Sequence, residues 1–428
     1  MIVRIKKPAQ SGTIPAIASK SEAHRLLICA ALADCKTHIV CQDRSADIDA
    51  TANCLEAFGA TVSYNHNGFF ITPINRQLPE LLTFRKHLDC CESASTLRFL
   101  LPICGGLGLK ASFHMGIRLS KRPLDDLLDE MSSRGCILSK PDSSSIYCKG
   151  QLNSGTYTLP GDVSSQYISG LLLALPLLSG ESLLRVKGVL ESRPYVDMTL
   201  QVLRLFGITV CEDEGQSFHV PGGQVYRSPT TAHVGGDWSN AAFWLCAGAI
   251  GNHCITCTGL DKNSQQGDRI VTELLSRFGA RVNVDDNAVT VSPGTLRGID
   301  INARDIPDLV PALAAVASVA DGKTVIHNAG RLRIKESNRL ETITTSLSAL
   351  GADITQMQDG LVIVGKTVLT GGETQSFGDH RIAMASAILS GACLEPIVIR
   401  DAHVVQKSYP RFFEDFSATL FGICEAIG

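Results

Sequence analysis

An excess of either charge is missing from this chain. Its 428 residues hold 39 Lys and Arg against 42 Asp and Glu, a net charge of -3, whereas a general nucleic-acid binder carries a basic surface. No nucleic-acid partner is expected. A long apolar run is missing too. The most apolar stretch, Leu171 to Leu178, contains Pro176 and ends at Ser179-Gly180, too short to span a bilayer. The 15 Cys are odd in number and scattered, without the spacing of a small disulfide scaffold. The opening Met1-Ile2-Val3-Arg4-Ile5-Lys6-Lys7-Pro8 has no apolar signal core. The expectation is a cytoplasmic chain with free thiols and no membrane contact. His253-Cys254-Ile255-Thr256-Cys257 offers a single ligand pair and reads as a strand with buried thiols, so no metal is expected. Gly105-Gly106-x-Gly108 follows a buried helix where a nucleotide loop would precede one, and no cofactor is expected. Apolar residues, by contrast, are plentiful: at 44% hydrophobic the chain can build large cores and is neither disordered nor fibrous.

Two repeating series run through the sequence. Helix-like segments end in Gly59, Gly135, Gly207, Gly279 and Gly351, at intervals of 76, 72, 72 and 72 residues, and a sixth, Gly422, lies 71 further on. Each Gly is placed for a helix C-cap of positive φ, and the paired short strands that follow read as hairpins. In the sixth case the chain stops before strands are expected to form. Out of phase with these, Ser21, Ser95, Ser165, Ser239, Asp308 and Asp379 precede Ala/Leu-rich helices as expected N-caps. Those helices have few charges on any face and are expected to be buried. The unit is therefore about 72 residues: buried helix, strands, second helix with Gly cap, hairpin. Six units predict an α/β fold of two inside-out α/β domains, each of three repeats, with buried helices and sheets outside. One domain is expected over 19–234. The other takes 1–18 and 235–428 and is closed by the N-terminal strand.

The helix starts carry cations as well as caps: Lys20, Arg25, Arg98 and Arg381, with Arg122, Lys335, Arg339 and Lys407 on segments between. A helix N-terminus offers unpaired amides and about half a positive charge. Eight unpaired cations in one cleft would repel one another, so the expected ligands are polyanions.

These residues resemble a known family. Ser19-Lys20-Ser21-x-x-x-Arg25, Ser164-Ser165-Gln166, Ser192-Arg193-Pro194-Tyr195, Ile306-Pro307-Asp308, Lys335-Glu336-Ser337-Asn338-Arg339, Gly378-Asp379-His380-Arg381 and Lys407-Ser408-Tyr409-Pro410 look like the 5-enolpyruvylshikimate-3-phosphate synthases, in order and over nearly the whole chain. The resemblance implies an active site in the cleft between the domains, and a monomer. It implies transfer of the enolpyruvyl group of phosphoenolpyruvate to the 5-hydroxyl of shikimate 3-phosphate, the sixth step of the shikimate pathway to aromatic amino acids. By position, Lys20, Arg122, Gln166, Arg339, Arg381 and Lys407 would hold phosphoenolpyruvate, with Ala94 beside it. Ser21, Arg25, Ser164, Ser165, Gln166, Ser192, Tyr195, Asp308 and Lys335 would hold shikimate 3-phosphate. Asp308 would take the 5-hydroxyl proton and Glu336 would protonate the methylene carbon, and Lys20 is counted with them as catalytic.

The segment Cys91-Glu92-Ser93-Ala94-Ser95-Thr96-Leu97-Arg98 departs from the family's common Asn-x-Gly-Thr-x-x-Arg. Glu92 replaces the Asn, and a compensating cation such as Arg98 or Lys121 is expected beside it. Ala94 replaces the Gly, and in this family Ala there goes with poor binding of the inhibitor glyphosate. Asn338 stands where the family often has Asp. The sister transferase acting on UDP-N-acetylglucosamine typically has a Cys on the loop before its Arg-Pro, and His114 to Pro123 has none. A non-catalytic repeat scaffold is the reading from another class, and it predicts no convergence of Asp308, Glu336 and the cations.

Overall fold

The computed structural model describes residues 1–76, 84–213 and 216–427. The chain divides into two compact units, Ala18–Val234 and Met1–Ile17 with Gly235–Gly428. In the first unit the helices include α1 (Lys20–Leu32), α2 (Ala46–Ala57), α3 (Ala94–Gly106), α4 (Asp125–Ser133), α5 (Ser165–Ala174) and α6 (Arg193–Leu205). In the second they include α7 (Trp238–Ile250), α8 (Val271–Phe278), α9 (Val310–Ala317), α10 (Arg339–Ser348), α11 (His380–Ile388) and α12 (Phe412–Ala418). The odd-numbered helices lie inside, as their lack of a polar face requires. Every residue of α9 and α11 is buried, and so is every residue of α3 except Ser95 and of α5 except Gln166. The even-numbered helices bury one stripe, such as Leu127, Leu128 and Met131 in α4. No described helix is long and apolar enough to cross a membrane.

Each repeat ends in a four-stranded sheet of one topology. In the second repeat Lys86–Asp89 runs parallel to Ala111–His114, joined through α3, and the hairpin Ile137–Asp142 with Ser145–Lys149 completes the order. The first strand is borrowed where the chain enters a unit. Thr231–His233 supplies it to the first repeat, parallel to Thr37–Val40, and Gly12–Pro15 supplies it to the fourth, parallel to Ile255–Thr258. In the sixth repeat the hairpin is split. Val3–Lys7 lies between Ile397–Arg400 and Ile423–Ala426, antiparallel to both. The sequence reading ended the chain before any strand of this repeat; one does form, because Val3–Lys7 offers it an edge to pair with.

Five of the six repeat glycines take positive φ, from 73° at Gly207 to 105° at Gly135 and Gly279. In the sixth repeat Phe421, φ 53°, occupies the left-handed region beside Gly422. The second series needs more correction. The caps are Ser19, Ser93, Ser164, Asp237 and Asp379, whose side chains accept from the amides of Glu22, Thr96, Gln166, Asn240 and Arg381. Of the six expected caps only Asp379 serves as one. Ser21, Ser95, Ser165 and Ser239 sit inside the first turns, and α9 begins after Leu309 without a side-chain cap.

The starts of α3 and α5 are brought together by a close crossing of the two helices. A Cβ on Gly170 would sit 2.2 Å from the main-chain oxygen of Arg98 and 3.3 Å from Pro102. Main chain in two buried helices cannot move aside. Gly170→Ala is therefore expected to lower the stability of the Ala18–Val234 unit by about 1–3 kcal/mol, measured as a shift of its urea transition.

Candidate active site

In the Ala18–Val234 unit buried arginines tie the inner helices together. Arg25, 2% exposed, donates from Nε to Thr199 Oγ1 at 2.7 Å and from Nη2 to the Tyr195 carbonyl at 2.9 Å. Its Nη1 reaches the Ser21 carbonyl and its Nη2 also Ser169 Oγ. The guanidinium lies 4.9 Å from the centre of the Phe99 ring. Burial pulls its pKa down to about 10, against the opposing pull of Tyr195, Cys29 and Glu22. Arg98 donates from Nη1 to Ser164 Oγ at 3.2 Å and Gln166 Oε1 at 2.9 Å, and from Nη2 to the Pro123 carbonyl at 2.6 Å. Gln166 in turn donates to Ser95 Oγ at 2.9 Å. The two residues of α3 and α5 left unburied are thus bonded to each other. Lys20 forms a 2.9 Å ion pair with Asp47 on α2.

Arg122 stands next to Pro123, whose carbonyl is held by Arg98 and by the Tyr167 hydroxyl. A hollow beside it is lined by Arg98, Ser120, Arg122, Lys140 and apolar residues including Met115 and Leu119. Ala94 opens α3 and is buried. Ser192 precedes α6 in the left-handed region, φ 54°. Cys91 and Phe377, each two residues before a cap, are left-handed as well, at φ 48° and 52°. Backbone strain of roughly 1–3 kcal/mol per residue collects at functional ends of folds. Glu92 meets main-chain donors, accepting from the amides of Arg118 at 3.2 Å and Leu119 at 2.8 Å.

The other unit gathers charges of both signs. Arg339, 1% exposed, donates to three carboxylates at 2.8 Å each: Asp308 Oδ1, Glu336 Oε2 and Asp379 Oδ2. Arg381 donates to the other Asp308 oxygen, Oδ2, at 3.1 Å and to the Asp308 carbonyl. It also reaches Ser239 Oγ at 2.9 Å. Ser337 hydroxyl and the Arg381 amide complete the shell of Asp379, which is fully buried. Burial alone would raise the Asp308 pKa, but Arg381, Lys335 and Arg339 outweigh it and hold this carboxyl well below the usual range. Burial would lower Arg339, and Asp379, Glu336 and Asp308 raise it instead. Lys335 is pushed down to about 7 by burial, with Arg331 and Arg339 acting in the same direction and Asp308 and Glu336 against. Lys407 ends the short 3₁₀ helix Ala402–Lys407, partly exposed.

Comparison with known proteins decides the family. The family model described as EPSP synthase (3-phosphoshikimate 1-carboxyvinyltransferase) matches residues 5–416. The chain belongs to the EPSP synthase family. It is 42% identical over 416 residues to a 3-phosphoshikimate 1-carboxyvinyltransferase of Clostridium kluyveri, covering 97% of this chain and 96% of that one. The enzyme of the same name from Clostridium acetobutylicum is 39% identical, with 96% of each chain covered. Among solved structures, EPSP synthase from Acinetobacter baumannii superposes with a TM-score of 0.81 at 25% identity, covering 99% of this chain and 100% of that one. An enolpyruvyl transferase from Streptomyces tendae shares the fold, with a TM-score of 0.79 over 99% of this chain and 98% of its own at 21% identity.

The cations that motif reading singled out are thus not the unpaired set it pictured. Lys20, Arg339 and Arg381 face carboxylates, and Arg25 and Arg98 face hydroxyls, an amide and carbonyls. What sequence reading missed are the partners: Asp47, Thr199, Ser169, the Pro123 carbonyl, Ser239, and Asp379 as more than a cap. Asp47 lies in the first turn of α2, where an acid is expected to answer the helix dipole, so its sequence context hid its second role.

Lys335 makes a pH dependence. Unfolded, it holds its proton up to the ordinary value of 10.5; folded, only to about 7. Between those values the unfolded state binds more protons, so stability rises with pH across that window. Wild type should gain stability between about pH 7 and pH 9 that Lys335→Met lacks, read from urea titrations at each pH.

Proposed function

We propose that Asp308, Glu336 and Lys20 carry the chemistry of enolpyruvyl transfer in this chain, and that the motif cations hold its two anionic substrates. The reaction is the family's: the 5-hydroxyl oxygen of shikimate 3-phosphate adds to C2 of phosphoenolpyruvate, and C3 gains a proton. The resulting tetrahedral ketal then loses phosphate from C2 and a proton from C3, restoring the double bond. In our reading Asp308 takes the hydroxyl proton, Glu336 supplies the proton to C3, and Lys20 holds the departing phosphate. Arg122, Gln166, Arg339, Arg381 and Lys407 hold phosphoenolpyruvate. Ser21, Arg25, Ser164, Ser165, Gln166, Ser192, Tyr195 and Lys335 hold shikimate 3-phosphate.

One observation supports this reading above the rest. Asp308 and Glu336, the two carboxylates assigned to proton transfer, share one buried guanidinium, Arg339. An Asp308 bonded on both oxygens by Arg339 and Arg381 is a weak base. A substrate carboxylate taken up by those same arginines competes with Asp308 for them and returns basicity to it. Proton abstraction then waits for phosphoenolpyruvate. The two carboxylates also acquire different environments, as an acid and a base at one site require.

Asp308→Ala should cut phosphate release from phosphoenolpyruvate in the presence of shikimate 3-phosphate by roughly 10²–10⁴-fold. Full activity in this variant would remove Asp308 from the mechanism. The Ala94 methyl narrows the phosphoenolpyruvate pocket, so the purified enzyme should resist glyphosate and Ala94→Gly should become sensitive. Equal, low-concentration inhibition of both would overturn that role.

A further inference from the structure

We propose that Glu92 is a positioning residue for Arg122, and hence a determinant of phosphoenolpyruvate affinity. The inference rests on the reading that Arg122 holds phosphoenolpyruvate. Glu92 lies one residue before Ser93, the cap of α3. Its two carboxylate oxygens accept from two successive main-chain amides, Oε1 from Arg118 at 3.2 Å and Oε2 from Leu119 at 2.8 Å. The same loop is tied to the residue before Glu92 by the Gly116 amide, which donates to the Cys91 carbonyl at 2.7 Å. From Leu119 the tie runs straight to Arg122, whose amide donates to the Leu119 carbonyl at 3.0 Å. Pro123 follows, its carbonyl fixed by Arg98. Arg122 is therefore held from both sides, by the carboxylate of Glu92 through Leu119 and by Arg98 through Pro123.

Two further features fit this role. An ionised carboxylate has only acceptors to offer, so two amides pointing at it make a matched fork, and charge-assisted bonds of this type are the stronger kind. Gly116 makes room for the side chain: a Cβ there would fall 2.2 Å from Glu92 Oε1, 2.4 Å from Cδ and 3.0 Å from Cγ, and these are its nearest neighbours. A side chain at this position would therefore strike the glutamate first. Glutamine would not substitute, since its amide group would set a donor against a main-chain donor.

The test is a double-mutant cycle on the full chain, with steady-state kinetics for both substrates and thermal unfolding. Glu92→Ala and Gly116→Ala, which displaces the carboxylate while leaving it in place, should each raise KM for phosphoenolpyruvate roughly tenfold or more. The KM for shikimate 3-phosphate and kcat should change by less than about twofold. In the Glu92→Ala background the second substitution no longer meets the three atoms nearest to it, so the double variant should match Glu92→Ala alone. Glu92→Gln should resemble Glu92→Ala, which a purely space-filling role would not produce. Arg122→Ala serves as the reference. If it leaves KM for phosphoenolpyruvate unchanged, the reading of Arg122 fails. If it raises KM while Glu92→Ala and Gly116→Ala do not, or if the effects of the pair simply add, the positioning role of Glu92 is overturned. Should Glu92→Ala fail to fold, Gly116→Ala and Glu92→Gln carry the same decision.

Discussion

A buried cation must be answered within bonding distance, and most of this architecture follows from that requirement. Arg25, Arg98, Arg339 and Arg381 are each 3% exposed or less. Removing a guanidinium from water costs several kcal/mol unless its donors are met. Inside-out packing supplies what is needed. Helices that converge at the centre of a unit bring their first turns near one another, and first turns carry capping hydroxyls and carboxylates. The arginines reach across between helices: Arg25 from α1 to α5 and α6, Arg98 from α3 to the start of α5, Arg339 from the start of α10 to Asp379 at the start of α11 and to Asp308, and Arg381 from the start of α11 to the starts of α7 and α9. The residues proposed to hold substrate and the packing of the inner helices are one arrangement.

The two units answer their cations differently. Around Arg25 the bonds go to hydroxyls and main-chain carbonyls, acceptors without charge, so the guanidinium keeps its field. Around Arg339 three carboxylates balance and exceed one cation. A region that keeps its positive charge is suited to holding an anion. A region of tightly shared opposite charges is suited to moving protons, because rearranging one arginine alters the basicity of every carboxylate bonded to it. That division agrees with the proton-transfer roles proposed for Asp308 and Glu336, which share Arg339.

How much of this was readable beforehand depended on the range of the interaction. The repeat was legible because Gly caps and buried helices are local events with a fixed period, and five glycines do take positive φ. Cap identity was not. Ser19 and Ser21, or Ser93 and Ser95, are equally good candidates, and only the geometry of the chain entering the helix chooses the earlier of each pair. The cations were legible through their motifs. Their partners were not, since Asp47, Thr199 and Asp379 are 27, 174 and 40 residues from Lys20, Arg25 and Arg339 and no spacing rule links them. The amide partners of Glu92 were hidden for the same reason: its oxygens accept from main-chain amides of a loop 26 and 27 residues away.

That loop bears on what the Ala94 methyl can do. One methyl group discriminates between ligands by only about 1–3 kcal/mol even in a fitted pocket. It does so only if the opposite wall cannot retreat. Ala94 and Glu92 flank the same cap residue, Ser93, whose hydroxyl accepts from both the amide and the hydroxyl of Thr96. On one side of that cap stands the Ala94 methyl; on the other a carboxylate holds the segment leading to Arg122. If Ala94 borders phosphoenolpyruvate as proposed, a neighbouring segment held by two charge-assisted bonds would let the added methyl exclude a bulkier ligand, and a loosened segment would not. On that proposal selectivity belongs to Glu92, Ala94 and Gly116 acting as a set.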